Sequence, residues 1–289
     1  MVREKLRGTG VALVTPFTRE LAVDYEGLRK LLDFLLEGNV NYLVVNGTTA
    51  ESATTTFAEK TEVLDFIKQH IKGRVPLMYG IGGNNTAQVI ETIAATDFDG
   101  IDAILSVSPA YNKPSQQGIY QHFLHIAEAS PVPVMLYNVP TRTSSNMTAD
   151  TTLRLALHQN IVGIKEASGN LEQCLLIAKH RPEGFLLVSG DDMMAVPMIS
   201  FGAEGAISVL GNAYPEKFSS MVRQALDGNF KAAADLLLSF VDLNPLLYEE
   251  GNPVGVKVLL ERFGICTASV RLPLVEASAG LRDRIDKLI

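Results

Sequence analysis

A lysine at the end of an apolar run is the residue best placed for covalent chemistry in this sequence. Lys165 follows the apolar run 161–164, on which an unpaired charge is costly to bury. Burial lowers the pKa of a lysine, and a neutral amine can attack a ketone to form an imine. The alternative is a structural ion pair with Glu166, which position alone favours slightly. Neighbouring polar residues shift the interpretation toward imine chemistry.

Polar side chains that could serve such a reaction follow other apolar runs. Tyr137 ends one run and could carry protons, although a core tyrosine with one hydrogen bond would look the same. Thr48 and Thr49 stand at a strand-to-helix junction that suits a carboxylate, unless they simply cap the next helix. Arg142 could bind a second carboxylate, although most loop arginines are only solvated. Together these residue types fit an imine-forming reaction on substrates that carry carboxylates.

Eight short, apolar runs rich in β-branched residues carry these side chains, and segments with helical periodicity separate the runs. The predicted strands are 10–15, 42–46, 76–80, 103–107, 134–138, 162–165, 185–189 and 205–208. Eight alternating units favour an α/β fold of the closed (β/α)8 TIM barrel type over an open, doubly wound sheet. Active sites of such barrels form at the carboxyl ends of the strands, where the residues above stand.

The chain after the eighth strand has a different pattern. Helical periodicity covers 218–225, 231–240, 255–263 and 274–289, without another strand. One of these helices should close the barrel, and the rest form a C-terminal helical appendage. We therefore predict a catalytic barrel domain of residues 1–229 and a C-terminal helical domain of residues 230–289.

Composition and charge argue against several kinds of binding partner and location for this protein. The net charge of −7, without long runs of like charge, argues against nucleic acid. No apolar stretch reaches the roughly 18 residues of a membrane span, and no apolar signal segment opens the sequence. Cys174 and Cys266 lack metal-binding spacing and suit a reducing cytoplasm. Asp191 and Asp192 could bind a cation, but helix capping is the favoured interpretation. We predict a cytoplasmic protein without a metal site.

Seven segments occur in the order found in the dihydrodipicolinate synthase and N-acetylneuraminate lyase superfamily. They are 8–10 with 15–17, the Gly-Thr-Thr-Ala-Glu-Ser loop 47–52, 111–114, 137–143, 163–168, 189–192 and 271–273. Over essentially its full length the sequence resembles this family of Schiff-base-forming aldolases, and within it the dihydrodipicolinate synthases.

The resemblance implies a catalytic role for four of the residues. Lys165 forms the Schiff base with pyruvate, and Tyr137 donates and accepts protons. Thr48 and Tyr111 complete a proton relay with Tyr137. The neighbouring subunit of a tight dimer supplies Tyr111.

The same resemblance implies the substrates and the assembly. Thr49 and the backbone carbonyl of Ile207 contact pyruvate, and Arg142 orients the carboxylate of L-aspartate 4-semialdehyde. An aldol-type condensation then yields 4-hydroxy-tetrahydrodipicolinate, in diaminopimelate and lysine biosynthesis. The protonated imine is the electron sink, so neither a metal nor an organic cofactor is expected. The expected assembly is a homotetramer built as a dimer of dimers.

Two other functions stay open at this point. One is an N-acetylneuraminate-type lyase or a keto-deoxy-sugar-acid aldolase. Those enzymes share the lysine and the tyrosine, but they usually lack Arg142 and commonly have serine where Thr48 stands. The other is a catalytically silent barrel that senses a small molecule, which the retention of Lys165, Tyr137, Thr48 and Tyr111 disfavours.

The pocket at which lysine inhibits some members of this family is altered here. Inhibited members have histidine, glutamate and tyrosine where this chain has Lys60, Gln88 and Ala110. A lysine ligand would lose partners for its ammonium and would meet the like charge of Lys60. We therefore predict that lysine inhibits weakly or not at all.

Overall fold

The computed structural model describes residues 2–289, in which eight parallel strands form one closed barrel. The strands are β1 (Gly8–Ala12), β2 (Tyr42–Val45), β3 (Leu77–Gly80), β4 (Ala103–Val107), β5 (Val134–Asn138), β6 (Ile161–Glu166), β7 (Leu186–Ser189) and β8 (Gly205–Ser208). Each strand pairs with its neighbours in chain order, and β8 returns to pair with β1. The predicted (β/α)8 TIM barrel is confirmed.

In the described part of the chain, thirteen helices accompany the barrel, and most of them bury one face. They are α1 (Val2–Lys5), α2 (Tyr25–Glu37), α3 (Phe57–Ile71), α4 (Thr86–Ala95), α5 (Gln116–Ala129), α6 (Pro140–Thr143), α7 (Ala149–Leu155), α8 (Leu171–His180), α9 (Ala195–Ser200), α10 (Pro215–Leu226), α11 (Phe230–Leu238), α12 (Val254–Arg262) and α13 (Ala279–Asp286). In α2 the buried leucines Leu28, Leu31, Leu32 and Leu35 recur at the helical period, which places them against the barrel. Among residues 2–289, no helix is both long and apolar enough to span a bilayer.

The first strand is the one whose predicted position is wrong. It is expected at 10–15 and lies at Gly8–Ala12, whereas the other strands begin and end within one residue of the prediction. Glycines usually weaken strands, but here they permit close approach. A Cβ on Gly10 would come 2.2 Å from the ring of Tyr42, which fills the barrel interior at that height. Gly8 and Thr9, which precede the predicted strand, also belong to the sheet.

The barrel interior is filled by side chains rather than left as a channel. It contains Tyr42, Val44, Met78, Leu105, Met135, Leu186, Val188 and Ile207, all buried. The polar residues that follow the strands therefore lie at the carboxyl-terminal end of the barrel, where the active sites of this fold are found. Short 3₁₀ turns follow three of the strands there, at Thr48–Ala50, Asp192–Met194 and Leu210–Asn212.

The C-terminal region is helical, as predicted, but its last helix is shorter than expected. Periodicity predicts a helix over 274–289, and α13 covers only Ala279–Asp286. The helix begins where Ser278 caps it by accepting a hydrogen bond from the N–H of Leu281. The N–H of Ser278 donates to Oε2 of Glu250 at 2.8 Å, which fixes the residue at which the helix begins.

Candidate active site

Lys165 is a buried lysine at the end of β6 that lines a cavity in the barrel mouth. Burial lowers its pKa from 10.5 to about 8, while the charge of Asp192 raises this pKa in part and Arg142 lowers it. The structural ion pair with Glu166 is not formed, because Glu166 accepts hydrogen bonds from Asn138 and from the N–H of Ser168 instead. The amine of Lys165 is left facing the cavity.

Tyr137 lies beside Lys165 because β5 and β6 pair with these two residues in register. The Nζ of Lys165 is 4.3 Å from the centroid of the Tyr137 ring. Burial raises the pKa of Tyr137, whereas the charge of Arg142 and hydrogen bonding with Thr48 lower it. Thr48 and Arg142 are exposed residues that line the same cavity. The fold thus brings these four predicted residues together.

Thr48 and Thr49 form a 3₁₀ turn and do not cap the helix that follows. Thr56 caps α3, so the capping interpretation of the two threonines is wrong. Thr49 is 3% exposed, and its Oγ1 accepts a hydrogen bond of 2.9 Å from Nδ2 of Asn252. Asn252 belongs to the segment before α12, so the C-terminal region helps to place this turn.

A buried ion pair holds the end of the same turn. Lys257 on α12 donates to Oε1 of Glu51 at 2.6 Å, and the two side chains are 0% and 1% exposed. The other oxygen of Glu51 accepts the N–H of Arg271 at 2.9 Å, and Lys257 also donates to the carbonyl of Ser269 at 2.8 Å. Both charges are therefore fully bonded, which is the condition under which a buried pair is tolerated.

The turn after β7 passes close to Lys165. A Cβ on Gly190 would come 3.0 Å from Cε of Lys165, so glycine here leaves room for the lysine side chain. Asp191 caps the next 3₁₀ turn by accepting the N–H of Met193 at 2.9 Å, as the capping interpretation predicts. Asp192 is arranged differently: it is 2% exposed, and burial raises its pKa to about 6.

The cavity that holds Lys165 has a volume of about 880 Å³, which is within the range of small-molecule sites. It extends outward past the threonine turn. The outer part is lined by Ser52, Ala53, Phe57, Lys60 and Gln88. Lys60 is half-buried, and burial lowers its pKa. The inner part can hold a small keto acid, and the outer part leaves room for a second molecule.

Two of the predicted residues do not line this cavity. Tyr111 follows β4 in a loop with a φ of +71°, and it is 90% exposed. Its N–H donates to the carbonyl of Thr143 at 3.3 Å, which holds the loop against the short helix α6. Ile207 is 1% exposed and lies on β8 inside the barrel.

Two of the cavity residues missed by reasoning from the sequence also contact other residues of the site. Asn252 and Tyr248 come from the segment between α11 and α12, and both line the cavity. The hydroxyl of Tyr248 lies 3.5 Å from Oδ2 of Asp192. Neither residue follows a barrel strand, so a search of strand ends could not find them. Two Asn-Pro dipeptides, at 244–245 and 252–253, are the local signals in this segment.

Comparison with known proteins identifies the family of this chain. The model of the dihydrodipicolinate synthetase family matches residues 5–289. A 4-hydroxy-tetrahydrodipicolinate synthase from Cytophaga hutchinsonii is 56% identical over 280 residues, which cover 97% of this chain and 94% of the relative.

Solved structures agree as well. A chloride-inhibited dihydrodipicolinate synthase from Acinetobacter baumannii, complexed with pyruvate, has a TM-score of 0.95 and 36% identity, and the match covers 98% of this chain and 97% of that one. A monomeric dihydrodipicolinate synthase variant has a TM-score of 0.95 and 32% identity, with 99% and 96% covered. This chain belongs to the dihydrodipicolinate synthetase family.

Proposed function

We propose that this chain is a 4-hydroxy-tetrahydrodipicolinate synthase, a lyase that condenses pyruvate with L-aspartate 4-semialdehyde through a Schiff base on Lys165. The observation that carries the proposal is a buried amine with a pKa of about 8 that faces a cavity beside Tyr137. At pH 7 on the order of 10% of such an amine is neutral, compared with about 0.03% of an ordinary lysine. Burial therefore supplies a roughly 300-fold larger population of the nucleophile.

The first half of the reaction makes the imine. The neutral nitrogen of Lys165 attacks the ketone carbon of pyruvate, and the carbonyl oxygen takes a proton to become a hydroxyl group. That hydroxyl leaves as water when the nitrogen lone pair forms the C=N bond. Tyr137 gives a proton to the oxygen, takes one from the attacking nitrogen and gives it to the departing hydroxyl group, because its raised pKa keeps the phenol protonated at neutral pH. Thr49 and the turn around it hold the pyruvate carboxylate.

The second half makes a carbon–carbon bond. The protonated imine loses a methyl proton to the phenolate of Tyr137, and the resulting enamine attacks the aldehyde carbon of the second substrate. The aldehyde oxygen becomes a hydroxyl group by taking a proton from Tyr137. The amine of the second substrate then attacks the imine carbon, which closes the ring and releases Lys165. Arg142, at the cavity wall, orients the carboxylate of the second substrate.

Tyr111 enters this scheme from a second chain. Its 90% exposure and its absence from the lining of its own cavity support a role in which another subunit covers it. We propose a tight dimer in which the phenol of Tyr111 reaches the Tyr137 and Thr48 of the facing subunit. Two such dimers form a homotetramer, and the backbone carbonyl of Ile207 contacts pyruvate. The reaction takes place in the cytoplasm, where Cys174 and Cys266 stay reduced.

A substrate assay tests the proposal. Purified protein is given pyruvate with L-aspartate 4-semialdehyde, and in a parallel reaction N-acetylneuraminate alone. We expect turnover of the first pair only. Arg142→Ala should raise KM for the semialdehyde far more than KM for pyruvate, since the guanidinium contacts only the former. Cleavage of N-acetylneuraminate without condensation of the semialdehyde would assign the chain to the sugar-acid lyases instead.

A further inference from the structure

Asp192 is a buried carboxylate that the reaction described above does not use. Its Oδ2 accepts the N–H of Leu210 at 2.8 Å and the N–H of Val209 at 3.2 Å. The hydroxyl of Tyr248 lies 3.5 Å from the same oxygen. Burying a carboxylate is costly, and Asp191 already caps the 3₁₀ turn on which Asp192 lies. Capping of the turn therefore does not explain why Asp192 is buried there.

The turn that carries Asp192 is packed against Lys165. Strands β6 and β7 pair with Lys165 opposite Val188, and Gly190 follows two residues later within contact of the lysine side chain. The charge of Asp192 raises the pKa of Lys165, in opposition to burial and to Arg142. Glu166 is the other buried acid near this lysine in sequence, but its oxygens are taken by Asn138 and Gln173.

The nitrogen of Lys165 is positively charged at two stages of the reaction. That charge is an ammonium before pyruvate binds and a protonated imine afterwards. A fixed negative charge nearby stabilises both cations without having to move, and it acts strongly because the site is buried. The same carboxylate fixes the backbone of Val209 and Leu210, just after Ile207 on β8.

We propose that Asp192 is the fixed counter-charge of the cation on the Lys165 nitrogen and a positioning residue for the turn after β8. It acts from behind the cavity wall, which Gly190, Asp191 and Val209 form. The inference rests on the proposed function, since it requires that Lys165 forms the imine.

Other ionisable groups face these two residues, and their effects are distinct. Tyr137 and Arg142 adjoin Lys165, and Arg142 lowers its pKa. Asp191 adjoins Asp192 and raises its pKa, and Tyr248 lies beside both aspartates. The pKa of Asp192 is about 6 and that of Lys165 is about 8. Asp192 is therefore charged at the pH at which Lys165 loses its proton.

The test follows the pH dependence of adduct formation with pyruvate and cyanoborohydride, which reduces only the protonated imine. The rate rises with pH as Lys165 loses its proton, and it falls again as the imine loses its proton. Asp192→Asn keeps a hydrogen-bond acceptor but removes the charge. Both limbs should then move toward acid, by on the order of one pH unit, because both cations lose the same neighbour.

Asp192→Glu is the matched control, because it keeps the charge and disturbs the geometry. It should lower the rate and leave both limbs within about 0.3 pH unit of the wild type. If Asp192→Asn does not fold, Asp192→Ser removes the charge in its place. If the uncharged variant reduces the rate but leaves both limbs of the pH profile at their wild-type positions, Asp192 has only a structural role. Absence of any adduct in the wild type would overturn the proposed function instead.

Discussion

Two buried lysines lie against aromatic rings in this chain, in two regions of the molecule. In the barrel mouth the Nζ of Lys165 is 4.3 Å from the centroid of Tyr137, and in the C-terminal region that of Lys257 is 4.3 Å from the centroid of Phe17. Burial lowers the pKa of both. Lys257 donates to Glu51 at 2.6 Å, whereas Lys165 faces a cavity.

The difference shows that burial alone does not make a lysine a nucleophile. A carboxylate in direct contact raises the pKa of Lys257 in opposition to burial and holds its side chain in place. Lys165 feels a carboxylate that is near but not bonded to it, so its proton can leave. The Lys257 pair holds the end of the threonine turn, and we propose that the site around Lys165 binds pyruvate through that turn.

Removing the amine from the barrel mouth should have the largest effect. We expect Lys165→Ala to reduce turnover by about 10⁴-fold or more, because the covalent intermediate cannot form. Steady-state kinetics measures the loss, and circular dichroism checks that the variant is folded. Turnover within about tenfold of the wild type would place the nucleophile elsewhere.

Breaking the ion pair in the C-terminal region should instead cost stability. Lys257→Met leaves Glu51 buried without its partner, so the free energy of unfolding should fall by about 3–5 kcal/mol. Adding Glu51→Gln should recover part of this loss. Lys5→Met is the matched control: it breaks the exposed pair with Asp102, 2.6 Å long, and should cost less than about 1 kcal/mol. Urea unfolding measures all four proteins, and equal losses in the two single variants would contradict the comparison.

The pH dependence of stability should distinguish the lysine that lacks a partner. The folded pKa of Lys165 is about 8 and the ordinary value is 10.5, so between these values the unfolded chain binds more protons. Charged Lys165 therefore destabilises the folded state below about pH 8, and the penalty is lost as pH rises toward 10.5. Lys165→Met should be more stable than the wild type at pH 7, by up to about 3 kcal/mol. Unfolding at fixed protein concentration measures the difference in free energy of unfolding between the variant and the wild type. A difference that does not become smaller above pH 8 would contradict this prediction.

Proton transfer beside Lys165 should depend on two chains. Tyr111→Phe and Tyr137→Phe should each reduce turnover by about 10²-fold or more, because the relay loses a hydroxyl group. Mixed dimers of the two variants should regain activity, since one of their sites carries both tyrosines. Subunit exchange is followed with a mass label. Exchange without recovery would mean that Tyr111 serves its own chain or none.

The outer part of the cavity should give the smallest effect. Lys60 and Gln88 line it, so a lysine ligand meets a like charge there and finds no carboxylate. We expect half-inhibition by lysine above about 1 mM, the concentration that corresponds to roughly 4 kcal/mol of binding. Initial rates over a lysine titration give the value. Half-inhibition below about 1 mM would instead mean that Lys60 turns into solvent and that the pocket is intact.

Much of the site could be predicted because the barrel brings strand ends together whatever the details of packing. Lys165, Tyr137, Thr48 and Arg142 were found in this way, and the cavity collects all four. The first strand lies two to three residues before the predicted range 10–15, because Leu13 and Val14 continue the apolar run past the last residue of the strand, whereas Gly8 opens it without a side chain.

The contacts that hold the threonine turn in place could not be predicted from the sequence. The pair of Lys257 and Glu51 joins residues 206 positions apart, and no periodicity specifies a contact over that distance. Tyr111 is exposed in the single chain, and the residues that we expect it to contact lie on a second chain. Strand ends within one barrel therefore do not show where its side chain acts. The domain boundary between residues 229 and 230 stays a prediction.

Mapping of the pyruvate adduct tests the central claim most directly. The protein is reduced with borohydride in the presence of pyruvate, digested and examined by mass spectrometry for a modified lysine. Our account predicts the reduced pyruvyl group on Lys165 and none on Lys257, although both are buried. An adduct on Lys257, on Lys113 or on any other lysine while Lys165 stays unmodified would contradict it.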